Sequence, residues 1–288
     1  MLGIVLALAA GIVYGAGDFL GGIASRRSSL VSVVVLSQSI GLALLLCVLP
    51  FLAPTSPSQT DFVWGGMAGI VGAVGISMLY RGLAIGRMSV VSPVTAVVAA
   101  VIPIVFGIVR GERPALAAYA GIGLALLAVV LISSGTQGQH RDGGRSGQSR
   151  SLLLEPGLRE AFVSGVAIGG FYIILAHVGR AAGLWPLVSY RIVSTALIGL
   201  AALLTRRSLR PARAAVGPII FTGALDIAAN ALYLEATRRG LLAIVAVLAS
   251  LYPASTVALA GVVLKERFAP VQVVGMMCAA ASIVMIAL

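Results

Sequence analysis

The sequence predicts an all-α membrane protein, with ten transmembrane helices forming two inverted five-helix repeats around a central cavity. Three observations carry that reading. The 288 residues are 59% hydrophobic and only 10% charged, with a mean hydropathy of +1.07, whereas soluble domains hold roughly half apolar and a quarter charged residues. Ten apolar stretches reach the length of about 20 residues that a bilayer-crossing helix needs. The chain also matches itself at an offset near 153 residues.

The first span, 2–24, has no basic segment before it and is too long for the apolar centre of a signal peptide, so it reads as the first crossing. The second and third follow at 30–52 and 62–80, the fourth at 88–109 with Pro93 and Pro103 inside it, and the fifth at 115–134. Residues 135–157 are rich in Gly, Ser and Arg and read as a flexible polar linker. The second set runs 158–179, 184–204, 214–234, 240–264 with Pro253, and 270–288. Small residues recur at helical spacing, as at Gly11 and Gly15, Gly17 and Gly21, Gly65, Gly69, Gly72 and Gly75, and Gly165 and Gly169. Such faces let a second backbone approach closely.

A net charge of +11 raises the question of nucleic acid, but nearly all the basic residues lie in short loops between apolar spans, where the positive-inside effect accounts for them. No nucleic-acid partner is expected. Fourteen basic residues follow the odd-numbered spans, counting Arg159 in the first turn of the sixth, and five the even-numbered ones. That bias puts the odd loops in the cytoplasm and both termini outside. Cys47 and Cys278 stand far apart within apolar runs, so neither a disulfide nor a zinc site is expected, and no cofactor is implied.

The internal match rests on four anchors. Gly65 meets Gly217, Gln38 meets Arg191, Leu79-Tyr80 meets Leu232-Tyr233, and Glu112-Arg113 meets Glu266-Arg267, all at offsets of 152 to 154. The units are residues 1–134 and 158–288. Five crossings per unit is an odd number, so the second unit enters from the opposite side, an inverted repeat of the kind that places a transporter's substrate path where its halves meet. Pro93 and Pro103 in the fourth span and Pro253 in the ninth mark corresponding helix breaks. Proline removes a backbone donor and clashes with the preceding turn, which serves either a site or simple kinked packing.

These features resemble the EamA family of the drug/metabolite transporter superfamily, over essentially the whole chain. The resemblance rests on the two five-helix units, on Tyr14-Gly15-Ala16-Gly17-Asp18-Phe19 in the first span, on Arg191, and on Gly111-Glu112-Arg113 and Lys265-Glu266-Arg267 after the fourth and ninth spans. The family's usual Trp is Tyr14 here, and Gln38 stands where the second copy has Arg191. The resemblance implies a ten-helix basket in the cell membrane, working as monomer or homodimer, that exports amino acids, metabolites or drugs. The family is often drawn with both termini inside, against the loop charges. Flipping of lipid-linked intermediates is the alternative within the superfamily.

Ionisable groups inside a bilayer cost about 2.5–3.5 kcal/mol each on insertion scales and need a reason. Asp18, Arg191 and Asp226 are the interior ones, while Arg81, His177 and Glu235 lie near span ends, within reach of the headgroups. Asp18 lies one turn beyond Tyr14, beside Gly17, Gly21 and Gly22. Carboxyls taken out of water can hold a proton near neutrality, as proton-coupled export requires. The four-helix relatives in the superfamily use a first-helix carboxylate in this way, although it aligns with Tyr14 rather than with Asp18. A structural hydrogen bond is the plainer role for Asp18. In the eighth span Thr222, Asp226, Asn230, Tyr233 and Thr237 form a polar stripe that must face protein or water. Arg191 either pairs with Asp226 or clamps a substrate carboxylate.

The expected path therefore runs past Tyr14, Asp18, Tyr80, Arg191, Asp226, Asn230 and Tyr233, with helices 1, 3, 4, 6, 8 and 9 around it. Its partners are a small-molecule substrate, the lipid bilayer and protons. An intramembrane enzyme would need clustered carboxylates, paired histidines or a Ser-His constellation, none of which the sequence offers. Glu112 and Glu266, each between basic residues, read as structural groups at helix junctions.

Overall fold

The computed structural model describes residues 1–52, 55–86, 88–134, 156–206, 208–263 and 269–287. Most of the linker, together with Lys265, Glu266 and Arg267, lies outside the described residues. The first half holds α1 (Leu2–Arg27), α2 (Leu30–Val48), α3 (Gln59–Ile85), α4 (Met88–Val109) and α5 (Leu116–Ser134). The second holds α6 (Leu158–Ala176), α7 (Trp185–Leu204), α8 (Arg213–Thr237), α9 (Leu242–Ala249), α10 (Tyr252–Val263) and α11 (Pro270–Ala287). Every apolar span becomes helix because a backbone without water must satisfy its own hydrogen bonds. Six of the helices, α1, α2, α3, α6, α7 and α8, are long and apolar enough to cross a bilayer, and shorter apolar stretches occupy the remainder.

Local chemistry sets the ends. Arg26 and Arg27 close α1, where the carbonyl end of the helix favours cations. Ser58 and Asp61 form a reciprocal capping box at the start of α3, with Ser58 N donating to Asp61 Oδ2 at 2.9 Å and Asp61 N to Ser58 Oγ at 3.3 Å. Pro186 sits in the first turn of α7 and Pro270 opens α11, positions where a missing N–H costs nothing. Gly157, before α6, has φ +87°, and a Cβ there would lie 3.0 Å from the Gly82 carbonyl.

The halves are interleaved. α1 packs on α8 as α3 packs on α6, α2 on α8 as α3 on α7, and α4 on α6 as α1 on α9 and α10. The remaining large contacts join counterparts directly, α2 with α7, α4 with α9 and α5 with α11. Exchanging the two halves leaves this pattern unchanged. Glycines make the close crossings. Gly11 and Gly15 of α1 face the backbone around Leu248, Ala249 and Tyr252, while Gly165 and Gly169 of α6 face Thr95, Val98, Ala99 and Ile102 of α4. The two glycine pairs are themselves 154 residues apart.

The proline positions need a correction. α4 runs unbroken through Pro93 and Pro103, because one missing donor inside a helix gripped by its neighbours removes a single bond. The ninth span instead divides. α9 ends at Ala249, the residue whose carbonyl would have accepted from the N–H that Pro253 lacks, and α10 resumes at Tyr252. At the break, Ser250 N still donates to Ala246 O at 2.9 Å and Leu251 N to Leu248 O at 3.3 Å. The two spans, expected to carry related but not equivalent breaks, differ outright, since only the ninth divides.

Candidate functional site

The interleaving leaves a cavity of about 50 Å³ between six helices drawn from both halves. α1 contributes Tyr14 and Asp18, and α8 contributes Asp226 and Asn230. Gly72, Ile76 and Leu79 come from α3, and Ile168, Phe171 and Tyr172 from α6. Tyr190 of α7 and Tyr252 of α10 complete the lining. Spacing explains both polar pairs, since Tyr14 and Asp18, like Asp226 and Asn230, are four residues apart and share a helix face.

A hydrogen-bonded chain ties α1 to α8. Tyr14 Oη donates to Asn230 Oδ1 at 2.8 Å, and Asn230 Nδ2 donates to the Asp226 carbonyl at 2.7 Å. One turn away, Thr222 Oγ1 donates to the Gly17 carbonyl at 3.4 Å. Thr222 and Asn230 of the α8 stripe thus face α1.

Arg191 Nη2 donates to Asp226 Oδ2 in a direct ion pair. The guanidinium is completely buried, whereas 19% of the Asp226 side chain remains exposed. Arg191 fits because α2 has no side chain at Gly41, where a Cβ would lie 3.2 Å from the guanidinium carbon. That carbon also stands 5.0 Å from the Tyr190 ring centre, a cation–π distance. Among the described residues, Arg191 Nε and Nη1 have no hydrogen-bond partner. Gln38, the counterpart of Arg191 in the first half, donates through Nε2 to Ser194 Oγ at 3.1 Å, one turn along the same helix.

Asp18 is different. It lines the cavity half-buried, and its carboxylate takes no hydrogen bond and no salt bridge from the described residues. The cavity therefore holds one paired carboxylate and one unpaired one.

Of the seven expected path residues, the structure brings Tyr14, Asp18, Asp226 and Asn230 to the cavity wall. Arg191 lies behind Asp226 and off the wall. Tyr233 is wholly buried, stacked on Tyr172 with ring centres 4.3 Å apart and planes 21° apart. Tyr80 packs against Gly21 of α1, whose missing side chain leaves room for its ring. α7, through Tyr190, takes the place at the wall expected of α4. Tyr172, Tyr190 and Tyr252 went unread in the sequence. Tyr172 had a usable signal, since it stands 154 residues after Asp18, at that residue's position in the second half.

The end-lying ionisable groups serve structure. Arg81 pairs with Glu160 at 3.4 Å, and Glu235 pairs with Arg238 at 2.5 Å and with Arg239 at 3.3 Å. His177 stacks on Trp64, and its ring lies 3.3 Å from Arg110 Nη2. At that same end of the molecule Glu112 crosses between the halves and accepts from Leu242 N at 2.8 Å and Ala243 N at 3.0 Å, capping α9. Asp61 reaches the loop after α6, accepting from Gly179 N at 2.8 Å, and Arg238 donates to the Gly179 and Gly183 carbonyls. Among the described residues no group of three or more His, Cys, Asp or Glu gathers as metal ligands would.

A model of a family described as the EamA-like transporter family matches residues 1–134 and 157–288. A solved structure, titled only as the crystal structure of a protein, superposes with a TM-score of 0.72 at 17% identity, over 97% of this chain and 98% of that one. At that identity the likeness is one of fold. No curated protein matches the sequence.

Proposed function

The chain belongs to the EamA-like transporter family, multi-pass membrane transporters of the drug/metabolite type, and from that premise we propose that it is a proton-coupled secondary exporter. Its substrates on this reading are small metabolites, amino acids or drugs, carried across the cell membrane. The observation that carries the proposal is the unpaired Asp18 carboxylate in a cavity walled by both halves. Five crossings in each half make the repeats inverted, and a path at their interface can then open alternately to the two sides. A cavity of about 50 Å³ has room for a few waters and not for a metabolite, so loading requires the halves to part.

Asp18 is the coupling group. Around it stand Tyr14 on its own helix, Tyr172 of α6, Tyr190 of α7, Tyr252 of α10, and Asp226 of α8, which Arg191 already holds. Five of the six helices give the wall a polar or aromatic side chain, α3 adding Gly72, Ile76 and Leu79, and that mixed lining favours a small solute with an apolar body over a lipid. The test is export from inside-out vesicles of a panel of amino acids and organic amines, with and without an imposed proton gradient. At least one solute should move uphill only with the gradient. Uphill movement unaffected by collapsing the gradient would remove the proton from the scheme.

A further inference from the structure

We propose that Arg191 is a specificity-determining residue which sets the charge of the cavity, so that the site takes organic monocations; this rests on the transport reading above. The argument is a count of charges at one wall. Two carboxylates, Asp18 and Asp226, face the cavity. Arg191 cancels Asp226 from behind, fully buried and off the wall. An ionised Asp18 then leaves a single uncompensated negative charge. Around it stand Tyr14, Tyr172, Tyr190 and Tyr252, rings that attract a cation through their faces. One ammonium with an aromatic or apolar body matches that wall. A carboxylate ligand does not, because the guanidinium that would clamp it is committed to Asp226 and screened from the cavity by it.

The opposite half shows that the fold accepts a neutral residue at this position. Gln38 occupies the counterpart site and is satisfied by Ser194. Replacing Arg191 with Gln copies that solution and frees a second carboxylate. The site then has room electrostatically for a second ammonium.

Purified protein in detergent is titrated by calorimetry with phenethylamine, the neutral 2-phenylethanol and the diamine p-xylylenediamine. The native protein should favour phenethylamine over 2-phenylethanol by at least tenfold and over the diamine as well. Asp18→Asn should erase the amine-over-alcohol preference. Arg191→Gln should shift the diamine-to-monoamine ratio at least tenfold toward the diamine. The double variant Arg191→Gln with Asp226→Asn restores one net negative charge and should return the native ratio, which a merely structural role for Arg191 would not produce. If Arg191→Gln does not fold, Asp226→Asn alone decides. It makes the wall neutral overall and should lose the monoamine preference as fully as Asp18→Asn. An unchanged ratio in Arg191→Gln, or a monoamine preference surviving in Asp18→Asn or Asp226→Asn, overturns the proposal. Proton-driven export of a neutral or anionic solute by a protein that ignores phenethylamine would sink the substrate class and leave the transport reading standing.

Discussion

Replacing Glu112 tests whether the turn after α4 is a structural clasp between the halves. α9 begins at Leu242 with no side-chain cap of its own, and the first N–H groups of any helix lack intrahelical partners. Glu112 supplies acceptors for two of them, Leu242 N and Ala243 N, from the other half of the chain, at 2.8 and 3.0 Å. Hydrogen bonds to a charged group are worth about 1.5–3 kcal/mol each, and removing a cap costs about 0.5–2 kcal/mol. Glu112→Gln keeps one oxygen acceptor and loses the charge, so it should cost about 1–2 kcal/mol. Glu112→Ala loses both bonds and, between the cost of a lost cap and that of two charged hydrogen bonds, should cost about 2–4 kcal/mol. At roughly 2–4 °C per kcal/mol, the detergent-solubilised Gln variant should melt several degrees early and the Ala variant about twice as far below the native protein. Solute preference should stay as it was. A Gln variant with native melting and yield but altered preference would refute the assignment.

Gly15→Ala should cost about 1–3 kcal/mol by overpacking, since its Cβ would collide with the Ser255 side chain and the Tyr252 carbonyl. Gly123→Ala, with open space around it, should be neutral or slightly stabilising, and equal melting temperatures for the two variants would contradict the close α1–α10 crossing. The excess of basic residues in the odd loops predicts a C-terminus outside. A C-terminal reporter that works only in the cytoplasm should be silent, and activity from it would reverse the orientation.

The spans were legible because lipid leaves the chain one solution. A run such as 88–109 or 184–204 must be helical wherever its neighbours lie. The two units were legible from four anchors whose offsets, 152 to 154, agree within two residues. Side-chain assignments were harder. Asp18 and Asp226 announced themselves by the cost of placing a charge among Leu and Ala, and so did Arg191. What that cost cannot tell is which charge faces a cavity and which lies behind its partner, a matter of helix rotation and of the slot left by Gly41. Tyr172, Tyr190 and Tyr252 carry no such signal, because tyrosine is at home in a membrane helix with or without a role. The prolines misled for a related reason. Pro103 and Pro253 each remove one backbone bond, about a turn apart in the matched halves, yet only the ninth span opens into two helices.

The most direct measurement compares Asp18→Asn with Asp226→Asn in uphill export driven by an inside-out proton gradient. On the proposal that the unpaired carboxylate couples transport to protons, Asp18→Asn should abolish concentrative export in a protein that still folds. Asp226→Asn, which breaks the pair with Arg191, should weaken loading and leave whatever export remains dependent on the gradient. If Asp18→Asn exports uphill at the native rate, Asp18 is not the coupling group, and if Asp226→Asn does so as well, no carboxylate in this cavity couples transport to protons.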